Sequence, residues 1–138
     1  MSSIADIEDK LINTVNKLGI FKGVWSVGRK EVPASIAYPA AYVFFVSERD
    51  TGTRPRPVMG LVFEVVIAVK NLKSEKEAAR DAYSIMDSVR DALNGKTLEI
   101  SDIEPFTLVS REIAGYEAGV IEYALRFSTR QYLPVPTE

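Results

Sequence analysis

The segment Val58–Val69, Val-Met-Gly-Leu-Val-Phe-Glu-Val-Val-Ile-Ala-Val, limits this chain more than any other feature. Twelve residues carry one charge, Glu64, and the run is rich in valine. That composition predicts a long strand rather than a helix. The run also falls well short of the roughly 20 apolar residues that span a bilayer. Two segments can cover a sheet built on it. Over 3–18, Ile4, Ile7, Leu11, Val15 and Leu18 recur at three- and four-residue steps, which predicts an amphipathic helix. Ser3 is its expected N-cap and Gly19 its stop. Over 75–93, Ala78, Ala82, Ile85, Met86, Val89 and Leu93 form a second stripe with Tyr83 beside it. Ser74 and Glu77 make a capping box, and Asn94-Gly95 ends the helix.

The remaining strands follow from shorter patterns. Val24–Val27 is a short strand, and Gly28–Pro39 is an irregular loop. Ala41–Val46 is aromatic and apolar throughout, so it is expected to be buried on both faces. Ser47–Pro57 holds two prolines, Asp50 and Gly52, and is expected to be a loop of about ten residues, longer than most hairpin connections and mobile. Phe106–Ile113 and Gly119–Tyr132 are two further strands joined by a hairpin connection at Gly115–Gly119. In the second of these, Ile121, Tyr123, Leu125 and Phe127 share one face, with Glu122, Arg126 and Ser128 on the other. The order helix–strand–strand–strand–helix–strand–strand predicts an α+β fold: a mixed, mainly antiparallel sheet of four to five strands packed with two main helices. The chain's 138 residues support one domain, 1–133, followed by an extended proline-containing tail at 134–138.

Composition removes whole classes of chemistry. There is no Cys and no His. Disulfides, thiolate nucleophiles, Ser-His-Asp catalysis and His or Cys metal centres are therefore excluded. The first residues lack a basic region followed by an apolar one, so no secretory signal is read there and a cytoplasmic site of synthesis is expected. Net charge is −2, which disfavours free nucleic acid as a partner. The charge is uneven: residues 22–57 sum to +3 and residues 100–138 to −3. Opposite ends of this kind can dock between copies, or can both be solvated surface.

Three motifs invite a chemical reading. Gly95-Lys96-Thr97 contains the end of a phosphate-binding loop, but Arg90 stands where the first glycine belongs, and the motif follows a helix instead of preceding one. A helix C-cap is the better reading. Asp87 and Asp91 lie one helical turn apart, and Glu112, Glu117 and Glu122 lie along the last two strands, yet no spacing matches a known metal loop. Glu64 needs a partner or an interface if its sheet face is covered, and neither if that face is wet. Arg49, Arg54 and Arg56 are candidates for contacting phosphates or acidic surfaces, and Pro55 and Pro57 restrict the backbone around Arg56. The residues proposed for interaction are thus Arg49, Arg54, Pro55, Arg56 and Glu64. No catalytic, cofactor or metal residue is assigned.

The N-terminal helix MSSIADIEDKLINTVNKL, the strand YPAAYVFF, the charged loop, the strand FEVVIAVKN, the helix ending in Ala-Leu-Asn-Gly and the closing GVIEYALRFSTRQY make a combined pattern over about residues 3–133. It resembles the Mu-type phage tail proteins and, more broadly, the tail-terminator and minor-tail proteins of long-tailed phages. The resemblance implies a virion structural protein without enzymatic activity or cofactor. It further implies rings, commonly hexameric, that cap the tail tube and meet the head connector. The expected partners are then copies of the chain, a tail tube protein and a head–tail connector protein, with no membrane. The expected location is the virion tail, after assembly in the bacterial cytoplasm. A head–tail joining (neck) protein of related fold and a small nonviral ligand-binding α+β domain are the alternatives.

Overall fold

A computed structural model describes residues 1–26, 36–52, 54–70 and 75–134, with side chains omitted at 75–78. The expected capping box at Ser74 and Glu77, the apolar position Ala78, Val27 and most of the 28–39 loop, and the tail beyond Pro134 lie outside the described residues.

The described residues form seven elements in the order α1 (Ile4–Asn16), β1 (Gly23–Ser26), β2 (Ala40–Asp50), β3 (Val58–Lys70), α2 (Glu75–Leu93), β4 (Thr107–Glu117) and β5 (Val120–Tyr132). The five strands form one sheet ordered β1-β2-β3-β5-β4. Among the described residues only β1 pairs in parallel, with β2; the other pairs are antiparallel. This is the α+β fold that the element order predicts. The chain crosses from β3 through α2 to the edge strand β4, then returns as β5 to fill the gap beside β3. The thirteen-residue ladder between β3 and β5 is unbroken from Val58↔Tyr132 to Lys70↔Val120 and forms the spine of the molecule.

Both helices pack on one face. From α1, Ile7, Leu11 and Val15 join Ala82, Met86, Val89 and Leu93 from α2 over Leu61, Phe63, Val65 and Ile67 of β3. The predicted β5 face, Ile121, Tyr123, Leu125 and Phe127, is buried in the same core. Phe63 lies in edge contact with Phe106, the ring centroids 6.4 Å apart. Helix α1 begins with a reciprocal capping box. Ser3 Oγ accepts from the Asp6 N–H (3.0 Å), and Asp6 Oδ2 accepts from the Ser3 N–H (3.1 Å). Two orphan donors are satisfied in this way. Gly19 and Gly95 follow the two helices at φ +69° and +78°, the left-handed geometry that a glycine stop supplies. Gly95 N–H donates to Phe106 O at 2.7 Å, so the Gly-Lys-Thr motif serves the helix end.

Three expectations need correction. The first is that β2 is not buried on both faces: Ala41 and Val43 are buried under the helices, Tyr42 and Phe44 are half-buried on the opposite face, and Phe45 and Val46 are exposed. The second concerns Ser47–Asp50, which belongs to β2 rather than to a loop. A bulge at Val46 shifts the register, after which Ser47 faces Val62 and Asp50 faces Met59. The extra residue absorbs the misfit between an apolar start and a polar end. The connection therefore begins only at Thr51, and Thr51, Gly52 and Arg54 are tied down. Thr51 donates twice to Val58 O, and Asp50 accepts from Gly52 N–H (2.8 Å) and from Arg54. The third concerns extent: Gly115–Gly119 is the hairpin connection expected between these strands, but its turn is shorter than five residues. Strand β4 continues to Glu117, and the turn is Ala118-Gly119 alone, both at positive φ (52° and 78°). Two such residues give the turn whose twist matches a two-residue hairpin.

Candidate assembly surface

Among the described residues the sheet has a helix-covered face and an open face, and strand alternation decides what each presents. Residues paired across an antiparallel ladder point the same way. The open face therefore carries Tyr42, Phe44, Val62, Glu64, Arg126 and Ser128. Trp25 on β1 lies against Tyr42, the centroids 5.7 Å apart. Burial of the Tyr42 phenol, with Tyr38 and Glu122 nearby, raises its pKa.

Glu64 lies in this face, and its partner is the register neighbour Arg126, with Nη2 2.9 Å from Oε2. A half-exposed cross-strand pair of this kind contributes roughly 0.2–1 kcal/mol. Sequence reasoning left the choice between a wet face and a paired carboxylate open. The structure shows both, since the pair sits on the uncovered side.

The three proposed arginines gather at one end of the sheet in different circumstances. Arg49 is exposed on β2, opposite Gly60. Arg54 is locked to Asp50 (2.8 Å), and that hydrogen bond, helped by Gly52 N–H, lowers the Asp50 pKa to about 2. Arg56 lies over the Tyr132 ring at 5.3 Å and donates from Nε to Leu133 O at 3.3 Å. Pro55 follows a cis peptide bond. Arg54, Pro55 and Arg56 form the tip of the β2–β3 hairpin, whereas Glu64 sits near the middle of β3 and is not part of that tip.

Two shallow grooves flank the edge strand β4. On the open face, a groove of about 420 Å³ is lined by Val46, Val62 and Val109 with Arg49, Arg126 and Arg130. Val46 and Val109 sit at bulges, where two consecutive residues point the same way, so each bulge adds a valine to the open face. On the helix side, a groove of about 480 Å³ runs between α2 and β4, lined by Tyr83, Met86, Ile113 and Tyr123. Tyr83 packs edge-on to Tyr123, 6.1 Å between centroids. Burial, with Tyr83 as neighbour, raises the Tyr123 pKa. Arg111 closes one end of this groove with a 2.7 Å ion pair to Asp87, which lowers the Asp87 pKa.

Sequence reasoning missed Tyr83, Val109, Ile113 and Tyr116 as surface features. A signal was present. On β4 the helix-side residues are Leu108, Arg111, Ile113 and Tyr116, spaced three, two and three apart, which is the signature of bulges rather than strict alternation. Of the carboxylates raised as cation ligands, Asp87 is engaged with Arg111 and Arg90, and Asp91 with Arg90. Among the described residues no cluster of three or more acidic side chains is arranged to hold a metal ion. Nor is any helix among them long and apolar enough to cross a membrane.

The fold recurs in a solved structure, the virion of a native gene transfer agent (GTA) particle. One of its chains superposes with a TM-score of 0.66 at 14% identity, over 95% of this chain and 96% of that one. No curated protein matches the sequence. The family described as phage tail terminator protein matches residues 5–137, nearly the whole length over which the element order resembles those proteins. The chain belongs to the phage tail terminator protein family.

Proposed function

We propose that this chain is a virion structural protein whose copies close into a ring, hexameric as the resemblance to tail terminators implies, capping the tail tube and meeting the head–tail connector. Its partners are then other copies of itself, the tail tube protein and the connector protein, and its place is the virion tail, after assembly in the host cytoplasm. Family membership over residues 5–137 is the observation that carries this reading. The structure is compatible with it. One sheet face has no helical layer among the described residues, and apolar side chains stay exposed on both sides of the edge strand. A ring requires unlike surfaces that fit one another, and closure makes the last contact intramolecular, so each contact can be individually weak. The role needs no reaction chemistry and no cofactor.

Within this reading, the tip formed by Arg54, Pro55 and Arg56 faces the ring lumen or a tail partner. Asp50 and Tyr132 hold both guanidinium groups in place, which lowers the ordering cost of docking. Light scattering with electron microscopy at tens of micromolar tests the ring. Addition of the protein to growing tail tubes tests the cap. Annular particles and arrested tube growth are expected. Rings that bind connector without arresting tubes would place the protein in the neck instead. A strict monomer that neither binds nor caps tubes would remove the proposal.

A further inference from the structure

Asp102 is a half-buried carboxylate for which assembly has no use. The main chain fixes it against β5: Tyr132 N–H donates to Asp102 O at 2.9 Å, and the next residue, Ile103, bridges to Gln131. Its side chain meets Ser2. Asp102 Oδ2 accepts from the Ser2 N–H at 2.9 Å and from Gln131 Nε2 at 3.0 Å. Gln131, only 2% exposed, also donates from Nε2 to Ser2 O at 2.6 Å. Two side chains from distant parts of the sequence thus hold both main-chain polar groups of Ser2.

This site is short of donors and of charge. Asp102 Oδ1 is buried without a hydrogen-bond partner, and Asp102 has no ion pair among the described residues. A buried oxygen left unpaired forfeits its hydration with nothing in return. The Ser2 amide has one N–H, already given to Oδ2. An ammonium group at the same nitrogen has three donors and a positive charge, so it can serve Oδ1 and keep Oδ2.

We infer that Asp102 is the receptor for a free α-ammonium group at Ser2, and that the Met1–Ser2 bond is hydrolysed in the mature protein. The reaction consumes one water. Its oxygen goes to the Met1 carbonyl carbon, which leaves as a carboxylate, and its two protons go to the Ser2 nitrogen, which becomes ammonium. Met1 is 78% exposed and lies outside the core, so its loss costs little packing. Ser2 has the small side chain that methionine-removing aminopeptidases accept.

Position sets the sign of the effect. Ser3 is the N-cap of α1, so a cation on Ser2 sits at the positive end of the helix dipole, where it is unfavourable. Asp6 offsets part of this from within the helix, accepting from the Ser3 N–H, and Asp102 offsets it from outside. Without Asp102, a free amine on Ser2 weakens the start of α1. With Asp102, it ties α1 to the sheet through an ion pair.

Cleavable fusions can release the full chain starting at Met1 or at Ser2, each with Asp102 or with Asp102→Asn. Thermal unfolding followed by circular dichroism compares the four. With Asp102 present, the Ser2 form should unfold about 3 °C or more above the Met1 form. With Asp102→Asn, that advantage should vanish or change sign, because the carboxamide lacks the charge and the dipole remains. Comparing the two forms within one variant cancels whatever the substitution itself costs. Intact-mass spectrometry of the unfused chain made in bacterial cells should find it starting at Ser2. Equal unfolding temperatures for the two forms would overturn the inference. So would an advantage that survives Asp102→Asn, or a chain recovered from cells with Met1 still in place. The outcome is independent of the ring reading, since every comparison is made within one chain.

Discussion

Phe63 and Phe44 offer one chemical change on two faces of the same sheet. Phe63 is fully buried on β3, beneath the helices and against Phe106, and Phe45 packs edge-on to it at 5.7 Å. Phe44 on the neighbouring strand pairs with Glu64 and is half-buried on the open face. A buried phenyl side chain removes roughly 200 Å² from water, worth about 5 kcal/mol at 25 cal/mol/Å². Alanine retains part of that, and the cavity adds to the cost, so Phe63→Ala should destabilise by about 4 kcal/mol. Unfolding entropy near 2.1 cal/mol/K per residue gives roughly 0.3 kcal/mol/K for a chain of this size, hence a Tm lower by about 13 °C. At Phe44 about half the area is already wet and no closed cavity forms, so the loss should stay below about 2 kcal/mol. Urea unfolding of the isolated protein at low concentration, followed by circular dichroism, measures both. Equal losses, or a larger one at Phe44, would show that the helices cover the other face and that the alternation assigned to β2 and β3 is wrong.

Other expectations can be checked with the same material. Leu125→Ala, at a fully buried site on β5, should cost about 2–5 kcal/mol in urea unfolding, and a negligible loss would contradict the register with β3. Ala118→Gly should raise stability by roughly 0.5–1 kcal/mol, because Ala118 holds φ +52° in the two-residue turn; a lower Tm would refute the assigned geometry. Arg54→Glu with Arg56→Glu should leave Tm within a few degrees while impairing tube capping, and unchanged capping would reject a docking role for that tip. Burial opposes charge on Asp102, but hydrogen bonds from Ser2 N–H (2.9 Å) and Gln131 (3.0 Å) outweigh it and lower the pKa; Asp87 and Asp50 are lowered through Arg111 and Arg54. Groups lowered on folding stabilise fully above their ordinary value near 4 and lose that contribution as pH falls through the folded value, which is about 2 for Asp50. Urea midpoints should therefore drop between about pH 4 and 2, and a flat or rising profile there would contradict the three pairings.

The helices, the central strand and the order of elements are legible in the amino-acid sequence, because local periodicity encodes them. The stripe Ile7–Leu11–Val15 and the alternation Ile121–Tyr123–Leu125–Phe127 are short-range patterns, and an apolar stripe is buried wherever the chain places it. The bulges at Val46, Val109 and Ala114 are not legible there. A single extra residue changes which face a side chain takes, and whether it is inserted depends on the partner strand. For the same reason the loop expected at 47–50 is strand. Pairings between distant residues are equally hidden: Glu64 with Arg126 and Asp87 with Arg111 follow from β5 entering between β3 and β4, a consequence of the crossover through α2. The arginine tip can be located in sequence, but its ties to Asp50 and Tyr132 cannot. What the amino-acid order determined by itself was which residues must leave water. Tertiary packing decided which face remained open, since both helices chose the same side of the sheet, and thereby decided which valines, tyrosines and arginines are left for another molecule to meet.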